Sequence, residues 1–503
     1  MYRITPNRPQ PLFDIASMRR MEIAASRNLP SHTLMQRAGL AVARLALALA
    51  PHARTVWVAC GPGNNGGDGL EAAMHLQHWR LNPVVTWLGN EALMPPDARA
   101  ALGRAREAGV TFADAPPAGL TANDLCIDAL LGIGAVRAPE GRMVEWLAAL
   151  NASPAPILAV DVPSGLNADT GCIDANLIAN NDHLTMRTGH FQPEKTTLTL
   201  LGCKPGLFTA QGRDAAGTVW FDNLGVTAPS EMPCAQINTA PALTHRAHAS
   251  HKGSHGDVAV VGGEGLHQRG MGMTGAALLA ASAALHGGAG RVLVSLLDGG
   301  ALALDPGLPA LMFRTFEALN LPALTVVCGC GGGDAVREVL PQVLSQSPRL
   351  VLDADALNAI AADATLRRLL RERQARGHAT VLTPHPLEAA RLLGCDAPSV
   401  QADRLAAAKQ LAHEFQCVAV LKGSGSIVAA PGEIAALNLT GNGLLGTAGT
   451  GDVLAGLVGA RLAGRSDAFK AACAAVYAHG AVADDWPREQ ALTASLLAQR
   501  LAP

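Results

Sequence analysis

The sequence predicts an α/β protein of two domains, each a parallel sheet flanked by helices. Short apolar strands alternate with helical stretches along most of the chain. Strand after strand ends in glycine or an acid, the layout of a doubly wound sheet with one ligand-binding edge. Residues 227–241 interrupt the alternation with three prolines and little periodicity. They read as a linker between a first domain, 1–226, and a second, 242–503.

Composition narrows the class. The 503 residues suffice for full cores, and 39 Lys+Arg against 41 Asp+Glu leave a net charge of −2. No basic excess points to nucleic acid. Ten scattered cysteines show no metal spacing, even at Cys328 and Cys330, and suit a reducing compartment. Met1–Pro6 lacks the apolar core of a signal peptide. The apolar runs 38–50 and 273–290 carry Arg44 and His286 and fit buried helices better than membrane spans. We expect a cytoplasmic homo-oligomer with no membrane or nucleic-acid partner.

In the first half, apolar spacing predicts two helices over Ser17–Leu49, broken at Leu29-Pro30-Ser31. A strand over Thr55–Cys60 runs into Gly61-Pro-Gly-Asn-Asn-Gly-Gly-Asp-Gly69, then a helix from Leu70 to Trp79. Strand, glycine-rich loop and helix is the order of a nucleotide-binding unit. This loop has no Lys, so backbone N–H groups, Asn64, Asn65 and Asp68 would have to hold a phosphate. The same oxygens could serve a cation. The plain alternative is a tight turn using Asn and Gly in left-handed geometry. Strands ending near Asp128 and Asp161 should meet the loop on one rim, and Pro163-Ser164-Gly165 fixes a turn that can aim the Ser164 hydroxyl there.

Four stretches resemble the NAD(P)HX epimerase domain: 61–69, Asp128-Ala-Leu-Leu-Gly132, 160–171 and Lys204-Pro-Gly-Leu207. The likeness around these stretches extends over nearly all of residues 10–225. The resemblance implies a Rossmann-like three-layer domain that interconverts R and S hydrates of NADH and NADPH. It implies that Asn64, Asn65, Gly66, Gly67 and Asp68 bind substrate, with Gly132, Ile133, Gly134, Ala135, Val136, Arg137 and Ala138. It assigns Asp161 to substrate contact and acid/base work, and Asn65, Asp128 and Ser164 to a potassium ion. Epimerising a hemiaminal carbon needs proton transfer, which a buried carboxylate can supply. The segment 180–196 is longer than the family's by roughly ten residues, which bears on the edge of the site.

The second half repeats the alternation. Strands near 257–263, 290–295, 325–328, 350–353, 380–383 and 418–421 end in glycines, Asp353, His385 and Lys422. The stretch Gly446-Thr-Ala-Gly-Thr-Gly-Asp452 then feeds a buried helix. Its glycines should allow positive φ and close approach, and free N–H groups at a helix start suit a phosphate. Asp452 is there either a helix cap or a base. Glycine-rich backbone, Lys422 and Asp452 together describe phosphoryl handling. His385, between prolines, is either structural or orients substrate.

This pattern resembles the ribokinase-like superfamily, and more closely the NAD(P)HX dehydratase. The matching pieces are His251-Lys-Gly, Met273-Thr-Gly-Ala-Ala, 353–358, 383–388, 421–424, Thr440-Gly-Asn and 449–456. The resemblance implies Mg²⁺ and ADP as co-substrate, phosphorylating the hydroxyl of S-NADHX or S-NADPHX before phosphate leaves, with AMP released. It implies that Lys422, Gly423, Ser424, Gly425, Ser426 and Gly451 contact ADP. Gly275, Gly331, His385 and Asp452 would contact the hydrate, Asp452 as base. Gly329-Cys-Gly331 departs from the family's Gly-Pro-Gly, and 264–272 is extended. Both motif sets on one chain imply a bifunctional repair enzyme. The alternative is a small-molecule kinase, for a vitamin precursor or sugar, with a non-catalytic nucleotide-binding first half.

Overall fold

The computed structural model describes the chain apart from residues 135–137, 174–193, 228–230, 243–246, 268, 300–301, 465–466 and 503. Most of segment 180–196, and the substrate positions assigned to Ala135, Val136 and Arg137, therefore lie outside the described residues. The contacts divide the chain into two compact units, Met1–Thr5 with Gln10–Ala235, and Pro6–Pro9 with Gln236–Pro503.

The first unit holds an eight-stranded sheet. Its order is Tyr2–Arg3, Thr218–Asp222, Lys195–Leu200, Ile157–Val160, Leu125–Ala129, Val56–Cys60, Pro83–Trp87 and Thr111–Ala113. All pairings are parallel except that of Tyr2–Arg3 with Thr218–Asp222. The central strands Val56–Cys60 and Leu125–Ala129 are buried at every position, as unbroken apolar runs covered on both faces should be. The helix after the glycine loop starts earlier than the sequence suggested, at Asn64, and runs to His78. None of the glycines from 61 to 69 has a positive φ. Their smallness serves close approach instead. A methyl group on Gly66 would sit 2.0 Å from the Gly61 carbonyl oxygen, and one on Gly69 would sit 2.6 Å from Ala129 Cβ.

In the second unit the sheet order is Met312–Phe313, Arg291–Leu297, Asp257–Glu264, Thr325–Cys328, Arg349–Leu352, Ala379–Leu382, Val418–Leu421, Ile427–Ala429, Ala436–Asn438 and Ala235–Asn238. The strands through Val418–Leu421 pair in parallel, and the next two pairings are antiparallel. Gln236–Asn238, placed in the linker by sequence, instead pair in parallel with Ala436–Asn438. Asn238 adds side-chain bonds to Asn438 Oδ1 (3.0 Å) and the Cys473 carbonyl (2.9 Å). A short strand flanked by prolines carries too little pattern to be seen before its partner is known. Helices Thr274–His286 and Thr450–Ala463 cross so tightly that a methyl on Gly456 would lie 2.0 Å from the Ala280 carbonyl oxygen.

Candidate active sites

In the first unit, strand C-termini and the start of helix Asn64–His78 line a cleft of about 440 Å³. That falls within the roughly 300–1,000 Å³ typical of small-molecule sites. Asn64, Asn65, Asp68, Gly132, Ile133, Gly134 and Asp161 all line it. Gly66 and Gly67 do not; they pack the helix against Gly61 and against Met35 and Ala98. Ala138 lines a neighbouring cavity with Gly132 and Ile133.

Asp161 follows its strand with φ 68°, unusual for a non-glycine residue, and its backbone N–H is tied to the Leu198 carbonyl at 2.8 Å. Its carboxylate accepts from Leu200 N (3.1 Å) and forms an ion pair with Lys204. Lys204 is fully buried and donates also to Thr199 Oγ1 (3.1 Å) and the Leu200 carbonyl (2.9 Å). Sequence reasoning quoted Lys204 within a motif and gave it no role. The signal was there: a Lys four residues past the end of an apolar strand and directly before Pro-Gly.

Asp128 and Ser164 meet in a separate, largely enclosed cavity beside Lys195. Asp128 accepts from Ser164 Oγ (2.6 Å), Ser164 N (2.9 Å) and Leu130 N (3.2 Å). Burial raises its pKa, against the pull of those bonds. Ser164 Oγ accepts in turn from Leu131 N at 2.8 Å. Across that segment lies Asn65, whose buried Nδ2 has no partner and whose Oδ1 would be 3.0 Å from a methyl on Gly132. Asn65 Oδ1 and Ser164 Oγ therefore lie against adjacent residues, Gly132 and Leu131, with Asp128 bonded to Ser164.

In the second unit, helix Thr450–Ala463 begins behind Gly449, which is the cap. Gly449 takes φ 88°, whereas Gly446 and Gly451 have no positive φ. Asp452 is therefore not the cap but lies in the first turn. Burial and the nearby Asp353 raise its pKa to about 6. The loop before it is braced by Thr450, whose Oγ1 donates to the Leu445 (2.8 Å) and Thr447 (2.9 Å) carbonyls, and by buried His479 at 3.0 Å from the Thr450 carbonyl.

Lys422 Nζ lies 2.7 Å from Asp353 Oδ1 and would be 3.3 Å from a methyl on Gly451. Lys422 and the helix start are therefore brought together as expected. Asp353, almost fully buried, also accepts from Thr383 Oγ1 at 2.9 Å. Beneath the loop, buried Arg404 donates to the Lys422 carbonyl at 3.1 Å. Gly423 (φ 135°) could not carry a side chain there, since a methyl would meet that guanidinium at 2.9 Å. Ser424 is exposed, Gly425 has φ 64°, and Ser426 Oγ donates to the Gly423 carbonyl at 3.2 Å.

Gly331 (φ 58°) packs where a methyl would lie 2.5 Å from the Met273 carbonyl oxygen, next to exposed Gly275, which has open space before it. His385 caps helix Pro386–Leu393. Its Nδ1 accepts from Leu387 N (3.1 Å) and Glu388 N (3.3 Å), and its own N–H donates to Glu388 Oε2 (2.7 Å). Burial and Lys422 hold its pKa below the usual range. Buried Glu388, raised to about 7 mainly by desolvation, was missed from sequence, as was the anchoring role of Asp353. Cys330 replaces a proline by resemblance. Its thiol is fully buried, and its sulfur and carboxylate oxygens of Asp353 and Asp452 all lie within 4.8 Å of one another. The extension after Glu264 is pinned by Arg269, which donates to Glu264 Oε2 at 2.9 and 2.5 Å.

Two largely parallel sheets, each with glycine turns and buried acids at one edge, define a two-domain α/β enzyme. Residues 258–503 match the family described as NAD(P)H-hydrate dehydratase, and 31–190 match the YjeF-related protein N-terminus. The bifunctional NAD(P)H-hydrate repair enzyme of Escherichia coli K12 is 36% identical over 478 residues, covering 92% of this chain and 87% of that protein. The chain belongs to the family of bifunctional NAD(P)H-hydrate repair enzymes. The ADP-dependent (S)-NAD(P)H-hydrate dehydratase of Neisseria meningitidis serogroup B is 43% identical over 51% of this chain and 86% of its own length. A solved Bacillus subtilis ADP/ATP-dependent NAD(P)H-hydrate dehydratase, co-crystallised with ATP and Mg²⁺, is 28% identical. It covers 51% of this chain and 91% of its own, with a TM-score of 0.41.

Proposed function

We propose that this chain repairs hydrated nicotinamide cofactors in two steps. The first unit epimerises R- and S-NADHX and NADPHX. The second dehydrates the S form with ADP, releasing AMP and phosphate. The observation that carries this reading is the meeting of Lys422, Gly451 and Asp452 at one sheet edge, in a chain whose other half has its own buried acid site.

In the second unit, N–H groups at the start of helix Thr450–Ala463 and the Lys422 ammonium stabilise phosphate charge. Mg²⁺, when bound with the nucleotide, screens that charge further. Asp452 takes the proton of the hydrate hydroxyl as its oxygen attacks the terminal phosphorus. A carboxylate whose pKa is about 6 is ionised at neutral pH, yet basic enough to accept it. Exposed Gly275, with open space before it, leaves room for the ring, and Gly331 lies next to it against Met273. In the first unit, Asp161 works as acid/base beside substrate held by Asn64, Asn65 and Gly132 to Gly134. Asp128 and Ser164, with Asn65 across Leu131-Gly132, would hold potassium. A buried carboxylate whose bonded partners are N–H and hydroxyl groups suits a cation, whose charge it would balance. A cytoplasmic location fits ten thiols that form no disulfide.

The test supplies mixed R and S hydrate with ADP and Mg²⁺ and follows the near-ultraviolet absorbance of reduced nicotinamide. Full recovery is expected from the unaltered chain, with a second, slower phase as R is converted. Recovery of the S fraction alone would remove the epimerase half. No recovery with ADP or ATP would leave a small-molecule kinase as the reading.

A further inference from the structure

The first unit's cleft holds more acid than its cations can balance. Asp161 is paired with Lys204. Glu71 is paired with Arg104 (2.6 Å), and Asp97 with His32 (2.5 Å). Asp68 lies on the same wall, in the second turn of helix Asn64–His78, and among the described residues has no hydrogen-bond or ion-pair partner. The charged groups around it are Glu22 on helix Ile15–Arg27, Asp97 on helix Pro96–Glu107, Glu71 on its own helix, and Asp161. Arg19 and Lys204 line the cleft as its cations. Burial, then the charge of Asp161, raises the pKa of Asp68 well above the usual carboxylate range, and Glu22 is raised too.

The second unit supplies an independent parallel. There Lys422 also pairs with one buried acid, Asp353, and the acid left without a cation, Asp452, is the one placed to move a proton. Two carboxyl groups held in opposite charge states by their surroundings divide acid and base roles between them.

We propose that Asp68 is the general acid of the first unit, giving its proton to the departing hydroxyl while Asp161 is held in place by Lys204. This rests on the epimerase reading. The C–O bond at the hydrated ring carbon breaks, and its electron pair leaves on oxygen, which takes the Asp68 proton and departs as water. The ring nitrogen lone pair forms a C=N⁺ bond facing the Asp161 carboxylate. Water then adds to the opposite face, its surplus proton passes to solvent, the nitrogen recovers its pair, and Asp68 is reprotonated. Atoms and electrons balance with no added reagent.

The experiment uses the full chain and reads the second, epimerisation-limited phase of absorbance recovery against pH and R-hydrate concentration, for the unaltered chain, Asp68→Asn and Asp68→Glu. We expect Asp68→Asn to lower kcat of that phase on the order of 10²- to 10⁴-fold with KM little changed. We expect Asp68→Glu to recover part of it. In the unaltered chain the phase should slow as pH rises and Asp68 loses its proton. A raised KM with kcat intact would make Asp68 a binding group only and overturn the proposal. So would a rate that does not fall at high pH, or loss in both variants accompanied by a lowered melting temperature. Absence of any enzyme-dependent second phase in the unaltered chain would instead bring down the epimerase reading itself.

Discussion

Both units bury one lysine against one aspartate at the edge of a parallel sheet. They differ in which member solvent reaches: Asp161, at 11%, in the first pair and Lys422 in the second. Lys204 has no exposed side-chain surface and saturates itself with Asp161, Thr199 and the Leu200 carbonyl. Lys422 keeps 17% of its side chain exposed and stands beside a helix start with free N–H groups. A fully enclosed ammonium can orient its partner but cannot meet a phosphate. A partly open one can do both. The same ion pair is thus a closed anchor in one unit and, in the other, open to the nucleotide we propose.

The largest effect that would break this comparison is at Asp452. Asp452→Asn should lower the dehydration rate by at least about 10²- to 10⁴-fold, as loss of a general base does. If the rate is kept, proton transfer is not the function of the acid left without a cation. Next comes the pair of lysines. Lys204→Met leaves Asp161 buried without its cation and should cost about 3–5 kcal/mol, read as a fall in urea midpoint. Lys422→Met should cost less, because its partly exposed ammonium gives up less burial and Asp353 keeps the Thr383 hydroxyl. Equal costs would erase the distinction between anchor and open pair.

A smaller effect concerns stability against pH. Asp452 binds its proton more tightly folded, at about 6, than an ordinary aspartate does unfolded. The folded state therefore holds more protons between roughly pH 4 and 6, and stability falls as pH rises through that window. Asp452→Asn should remove that fall and leave the folded chain more stable near pH 8, by at most about 3 kcal/mol. Thermal midpoints at several pH values would read it. The smallest effect is at Cys330. Its thiol donates to Asp353 Oδ2 at 4.0 Å and lies beside Asp452, whose pKa it lowers, so Cys330→Ala should move the acidic limb of the dehydration profile to higher pH. An unmoved limb would make Cys330 packing alone.

The alternation of strands and helices, and the edge on which the acids gather, were legible because apolar periodicity and strand-end polarity are local. Asn65, Asp161, Lys422 and Asp452 could be named for that reason. Lys204 and Asp353 escaped because their importance lies in each being the other half of a long-range pair: 43 residues separate Lys204 from Asp161, and 69 separate Lys422 from Asp353. His385 showed two faces in sequence, and its bonds to Leu387 and Glu388 resolve it as a helix cap. Left-handed turn geometry was the plain alternative for the glycines of 61–69, and the packing shows spacers instead, with no positive φ among them.

The strand Ala235–Asn238 has a practical bearing on dividing the molecule. A fragment begun at residue 242 would strip Ala436–Asn438 of a hydrogen-bonded neighbour and leave Asn438 without the Asn238 amide. The bare edge would present unpaired N–H and C=O groups to any passing chain and invite self-association. Separate expression of the second half should therefore start upstream of Ala235, and a fragment cut downstream should be the one that precipitates.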